Sequence, residues 1–248
     1  MTAPAKTPTA RLDRLLANLG YGSRREVQYL VRDGAVVFDG EVQSDANRHV
    51  PVVADLPARL TIVGEPIDPP PPLNLMLHKP LGVVCSHREP GRSVYELLPP
   101  RWGRRDPALS TIGRLDMDTS GLLLLTDDGG LLHRIISPKA EIAKRYLATL
   151  ERPLDGSEGA LFASGTLLLE GETKPLLPAT LEVLTPTRCR LTITEGRYHQ
   201  VRRMFTAIGN HVMTLHRDRI GGLDLPDDLP QSTYRVLSAT ELALVMGG

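Results

Sequence analysis

Leu12, Leu15, Leu16 and Leu19 recur at i, i+3, i+4 and i+7, which places them on one face of a helix, with Gly20 as a stop. A second helix is predicted from Ser23. Ser23 with Glu26 three residues on is a capping-box pattern, Val27, Leu30 and Val31 then share a face, and Gly34 closes the run. The period changes in AVVFDGEV, where apolar positions alternate around Asp39-Gly40, a dipeptide suited to a tight hairpin turn. With the strand-like RLTIVG, these segments define a small helix-helix-hairpin unit over 11–64. Residues 1–10, MTAPAKTPTA, lack the apolar segment of a secretion signal and are read as a loose tail.

Residues 65–73, EPIDPPPPL, break the pattern. Their prolines lack backbone donors and favour a stiff extended chain, so a domain boundary and linker are expected there. Over 74–248 the chain alternates short β-rich runs with few helices, as in LNLMLHKPLGVVCS, GLLLLT, RYLATL, ATLEVL and RCRLTITEG. That pattern predicts an α+β domain around a large mixed sheet rather than a regular βαβ array. One helix is clear: Val201, Met204, Phe205 and Ile208 share a face and Gly209 can end it, while His199, Arg202 and Arg203 occupy another flank.

The 248 residues, 41% of them hydrophobic, suffice for a full core. Twenty-nine basic and twenty-nine acidic residues cancel, so any polyanion site must be a local patch. Two such patches exist. Arg11, Arg14, Arg24, Arg25 and Arg32 face only Asp13 and Glu26 in the first. Arg24 and Arg25 fall in a helix's first turn, where the dipole disfavours cations by about 0.3–1 kcal/mol; a solvated face and a phosphate site are both open readings. In the second, Arg197, Arg202, Arg203, Arg217 and Arg219 outnumber Glu195 and Asp218, with His199, His211 and His216 interleaved. No metal is expected there, because the histidine spacings match no zinc pattern and the arginines repel cations; RNA backbone contact suits the strip better. Cys85 and Cys189 form no disulfide framework, apolar runs are far shorter than a membrane span, and a cytoplasmic protein is expected.

The segment TIGRLDMDTSGLLLLTDDG, 111–129, flanks a leucine run with four aspartates. A polar turn leading into a buried strand would explain it. Paired aspartates also occur in haloacid-dehalogenase-type phosphotransferases, but there they follow a hydrophobic strand, whereas Asp116 follows Gly113-Arg114-Leu115. The segment matches more fully elsewhere. It resembles the GRLD…T-S/T-G-L…D-G signature of the RNA pseudouridine synthases that act on small- and large-subunit ribosomal RNA. HKPLGVVCS resembles that family's Lys-Pro-x-Gly segment, with His78 where Asn is usual, KRYLATL its Lys-x-Tyr strand, and EGRYHQVRRMFTAIGNHVMTLHRDRIGG its C-terminal strand, helix and strand. The 11–64 unit resembles the S4 RNA-binding domain. Within the family, EGRYHQV, GNHV, LHR and RIGG look most like the branch that modifies a single uridine of 16S rRNA.

The resemblance implies an S4-like domain plus a catalytic domain with a large mixed, mainly antiparallel sheet, acting on ribosomal RNA as a monomer without cofactor or metal. Asp116 carries the essential carboxylate, as nucleophile or as an aid to glycosidic cleavage and proton removal. Arg202 is the cation expected to pair with it, Arg203 being the fallback, and Tyr146 packs against the target base. Arg114 enters the RNA stack or grips phosphate; Lys79, Lys144, Arg197, Arg203 and Arg217, with Arg11, Arg14, Arg24 and Arg25, complete the expected RNA contacts. Asp118, Asp127 and Asp128 are assigned to turns and helix capping. The alternatives are a 23S rRNA target or a non-catalytic assembly factor.

Overall fold

A computed structural model describes residues 7–86 and 89–247, which divide into two compact units. The first comprises the described residues up to Asn74 with Leu98–Ser110 and Thr126–Asp128; the second holds the rest.

In the first unit the helices Leu12–Asn18 and Arg24–Arg32 form as the periodicity requires, and Leu12, Leu16, Leu19, Val27 and Val31 are all buried in one core. Ser23 and Glu26 make both bonds of the capping box. Asp39 and Gly40 both take positive φ, 53° and 80°, the geometry that joins Val36–Phe38 to Glu41–Val42 in a two-residue hairpin. Leu60–Ile62 and Glu65–Pro66 complete a four-stranded sheet.

The proline-rich segment 65–73, expected as a stiff linker, is anchored within the first unit. Ile67 is buried in the first unit's core, the Asp68 amide donates to the Tyr21 hydroxyl, and Arg101 forms an ion pair with Asp68 while lying over the Tyr21 ring. Side-chain anchoring within the unit sets the position of this segment. Asp127 also departs from its expected capping role. Its buried carboxylate accepts from the Leu73 amide and pairs with buried Arg105.

The second unit is built on a nine-stranded sheet. Its path runs Thr180–Thr185, Arg188–Ile193, Lys144–Leu150, Val212–Ile220, Thr119–Thr126, Asn74–Lys79 and Tyr234–Val236, with Ser110–Ile112 paired to Thr119–Thr126 and Leu223–Asp224 to Val212–Ile220 off that path. Lys144–Leu150 pairs antiparallel with both neighbours, whereas Thr119–Thr126 runs parallel to Val212–Ile220. All eight residues of Thr119–Thr126 are buried, so the leucine run is a strand covered on both faces. Gly121 is required in it. Its φ is +115°, and a Cβ there would lie 2.2 Å from the carbonyl oxygen of Arg217, its partner in the parallel register. The helix Gln200–Ala207 buries Val201, Met204 and Phe205, and Gly209 with φ +75° ends the turn beyond it.

Candidate functional site

The loop before Thr119–Thr126 carries Asp116, and three features fix that loop from behind. Lys79, fully buried at the end of its strand, donates to the carbonyls of Asp116 (3.0 Å), Thr119 (2.8 Å) and Pro80 (3.1 Å). The Thr119 amide returns to the Asp116 carbonyl at 3.0 Å, and the Leu115 amide donates to Cys85 Sγ at 3.4 Å. Burial pushes the Lys79 pKa down, opposed by the nearby Cys85, Asp116 and Asp118. An ammonium enclosed by carbonyls cannot reach an RNA phosphate, which corrects the role expected for Lys79: it holds the aspartate loop.

Asp116 lines a cleft of about 520 Å³, shared with Arg114, Lys144, Tyr146, His199 and Arg217. Tyr146 and Arg217 face one another across the antiparallel register of their strands. Arg217 is buried, donating from Nε to the Leu122 carbonyl (2.8 Å) and from Nη1 to the Tyr146 hydroxyl (3.4 Å), with its guanidinium 5.9 Å from the Tyr146 ring centre. Its Nη2 is buried without a hydrogen-bond partner among the described residues. A buried unpaired donor is costly, so a ligand acceptor in the cleft would stabilise it. Arg217 was expected at an RNA backbone; its burial places it at the cleft's inner wall instead. Lys144 donates to the Ile142 carbonyl, and burial, reinforced by Arg217, lowers its pKa.

Arg202 is not the partner of Asp116 here. Its guanidinium bonds the Asp118 carboxylate and carbonyl at 2.9 Å and the Val212 carbonyl at 3.0 Å. Asp118, expected to serve only a turn, therefore ties the aspartate loop to the helix. Arg203, the fallback, pairs with Glu172. The group that meets Asp116 is His199, with Nε2 3.5 Å from Oδ1. Arg197 is braced by Glu195, Glu172 and two carbonyls, and exposed Arg114 pairs with Glu89. Adjacent to Lys79, Thr119 and Arg217 on three neighbouring strands lie His78, Ser120 and His216. Strand alternation puts these on the opposite sheet face, where His216 Nδ1 meets Ser120 Oγ at 2.9 Å and stands edge-on to His78. Burial, then His78, lowers the His216 pKa.

In the first unit the arginine patch is less free than its spacing suggests. Buried Asp13 gathers Arg11, Arg24 and Gln28, and although burial opposes its ionisation, those donors hold its pKa below the ordinary value. Arg11 also bonds Asn47. Arg25 donates to the Tyr29 hydroxyl, Arg32 lies over the Tyr29 ring, and Arg14 is exposed.

The chain was compared with known proteins. The family described as RNA pseudouridylate synthase matches residues 74–207, and the S4 domain matches residues 10–54. Ribosomal small subunit pseudouridine synthase A of Escherichia coli K12 is 43% identical over 240 residues, covering 95% of this chain and all of that protein. Its counterpart in Pasteurella multocida is 42% identical over 94% of this chain and 98% of that one. An uncharacterized RNA pseudouridine synthase of Bacillus subtilis is 40% identical over 95% of this chain and 98% of that one. A solved pseudouridylate synthase structure aligns with a TM-score of 0.67 at 37% identity, covering 95% of this chain and 99% of that one.

Proposed function

We propose, from the premise that this chain belongs to the RNA pseudouridylate synthase family, that it converts one uridine of small-subunit 16S ribosomal RNA to pseudouridine using the Asp116 carboxylate. As a pseudouridine synthase it is an isomerase. The ribosomal substrate is supported by the names of relatives that match along nearly their whole length, and by the S4 domain. Action on ribosomal RNA also favours the cytoplasm as its place of work.

The isomerisation breaks the bond from ribose to uracil nitrogen, turns the detached base and rejoins it through carbon 5. It neither oxidises nor hydrolyses, and so calls for no cofactor. It does need a carboxylate held at the ribose and base, and a surface that retains the loose uracil. The observation that carries the reading is one cleft holding Asp116, on a loop anchored by buried Lys79, together with Tyr146 held by Arg217. Extruding the uridine from its stack costs a few kcal/mol. Stacking of the base on Tyr146, worth about 1–3 kcal/mol, offsets part of that cost. Arg217 Nη2, without a partner among the described residues, supplies a donor to a uracil carbonyl.

The test is tritium release from carbon-5-labelled uridine in 16S rRNA or a partly assembled small subunit, comparing wild type with Asp116→Asn. Release by the wild type and none by the variant is expected. Full activity in the variant removes Asp116 from the chemistry, and RNA binding without release from any ribosomal RNA makes the protein a binding factor. Release from 23S rRNA alone moves the target to the large subunit.

A further inference from the structure

Tyr198 is 72% exposed, an unusual place for a large aromatic ring, and it stands in the cleft wall next to the residue that meets Asp116. Its ring stacks on His199 with centroids 3.8 Å apart and planes 17° apart. His199 itself takes a left-handed backbone conformation, φ 48° and ψ 31°, at the N-terminus of Gln200–Ala207. A non-glycine residue in that region is uncommon and strained, so the surrounding structure must enforce it.

The enforcement is visible on both sides. Before Tyr198, the Arg197 amide donates to Gln200 Oε1, and its guanidinium reaches Glu195, Glu172 and the carbonyls of Lys174 and Pro175. After it, Arg203 donates to the Tyr198 carbonyl while held by Glu172 and the Glu170 carbonyl. This network buries little of the Tyr198 ring. It fixes a rigid backbone under an open aromatic surface.

We infer that Tyr198, stacked on His199, is a nucleobase platform that takes the base of a nucleotide flanking the target uridine. The inference rests on the RNA-modifying reading of the same cleft. Every base has a π-face, so a preorganised ring beside the catalytic carboxylate can retain the strand next to the extruded uridine without reading hydrogen bonds. With the ring already ordered, little side-chain freedom is lost on binding. His199 contributes by covering the inner face of Tyr198, which leaves the outer face for the base.

The experiment measures equilibrium binding of a labelled 16S rRNA fragment by fluorescence anisotropy, beside single-turnover tritium release, for the full-length chain. Tyr198→Ala should raise Kd about 5- to 150-fold, the equivalent of about 1–3 kcal/mol. Tyr198→Phe should bind as wild type. The fold-change should persist from low to moderate salt, because the ring neutralises no phosphate. An abasic nucleotide at one flank of the target should weaken wild-type binding similarly and leave Tyr198→Ala with no further loss. The ring's exposure predicts unchanged thermal melting in both variants. Wild-type affinity in Tyr198→Ala, equal losses in Ala and Phe, or additivity with abasic sites at both flanks overturns the platform. Because anisotropy reads binding without turnover, absence of wild-type tritium release would count against the proposed reaction and leave this result separately readable.

Discussion

Replacing Lys79 with methionine separates holding the Asp116 loop from holding the fold. The ammonium donates to three carbonyls, and charge-assisted bonds of about 1.5–3 kcal/mol each give a gross loss of about 5–9 kcal/mol. Against it stands the cost of keeping a fully buried cation out of water, several kcal/mol, which methionine of similar length does not incur. The Asp116 carbonyl also keeps its bond from the Thr119 amide. The net change in stability should therefore stay within about 3 kcal/mol, and the variant should fold. Catalysis has no such compensation. A loop displacement near 1 Å typically costs about 100-fold in rate, so single-turnover tritium release should fall by about that factor while RNA affinity changes little. Thermal melting and release measured on one preparation decide the matter. A folded Lys79→Met protein that releases tritium at the wild-type rate would refute the claim that this lysine positions Asp116.

Gly121→Ala should lower stability by more than about 2 kcal/mol, read by urea melts, because the added Cβ meets the Arg217 carbonyl at 2.2 Å and φ is +115°. Arg24→Ala with Arg25→Ala should weaken RNA binding and flatten the log Kd against log salt slope by about 1.4–1.8, the loss of two phosphate contacts; an unchanged slope returns both arginines to a solvated face. Glu241 is held at about 2, chiefly by Arg235 and then by Ser238, against an ordinary 4.5. Its folded form thus resists protonation more than the unfolded chain, and the stability it adds is full above pH 4.5 and lost as pH falls towards 2. Urea melts of wild type and Glu241→Gln across that range should therefore converge as the pH drops; a constant gap contradicts the assignment.

Much of the local structure was legible because it depends on neighbours in the chain. The leucine spacing, the Ser23-Glu26 box, the Asp39-Gly40 turn and the buried Leu122–Leu125 strand each follow from backbone geometry and one-sided or two-sided burial. The motif around Asp116 was equally readable, and with it the family. The partners of the charged side chains were not. Lys79 and Arg217 read as RNA-contacting cations until sheet pairing buried them, and Arg202 read as the partner of Asp116 until Asp118 took it. Net charge and spacing say where a cation lies in the chain, whereas desolvation and competition among nearby carbonyls and carboxylates decide what it binds. The sequence determined the elements, the motif that carries Asp116 and the family. The tertiary structure decided that a buried lysine fixes the aspartate loop, that Arg217 supports Tyr146, and that Tyr198 stays open, since each depends on strands and loops far apart in the chain meeting at one cleft.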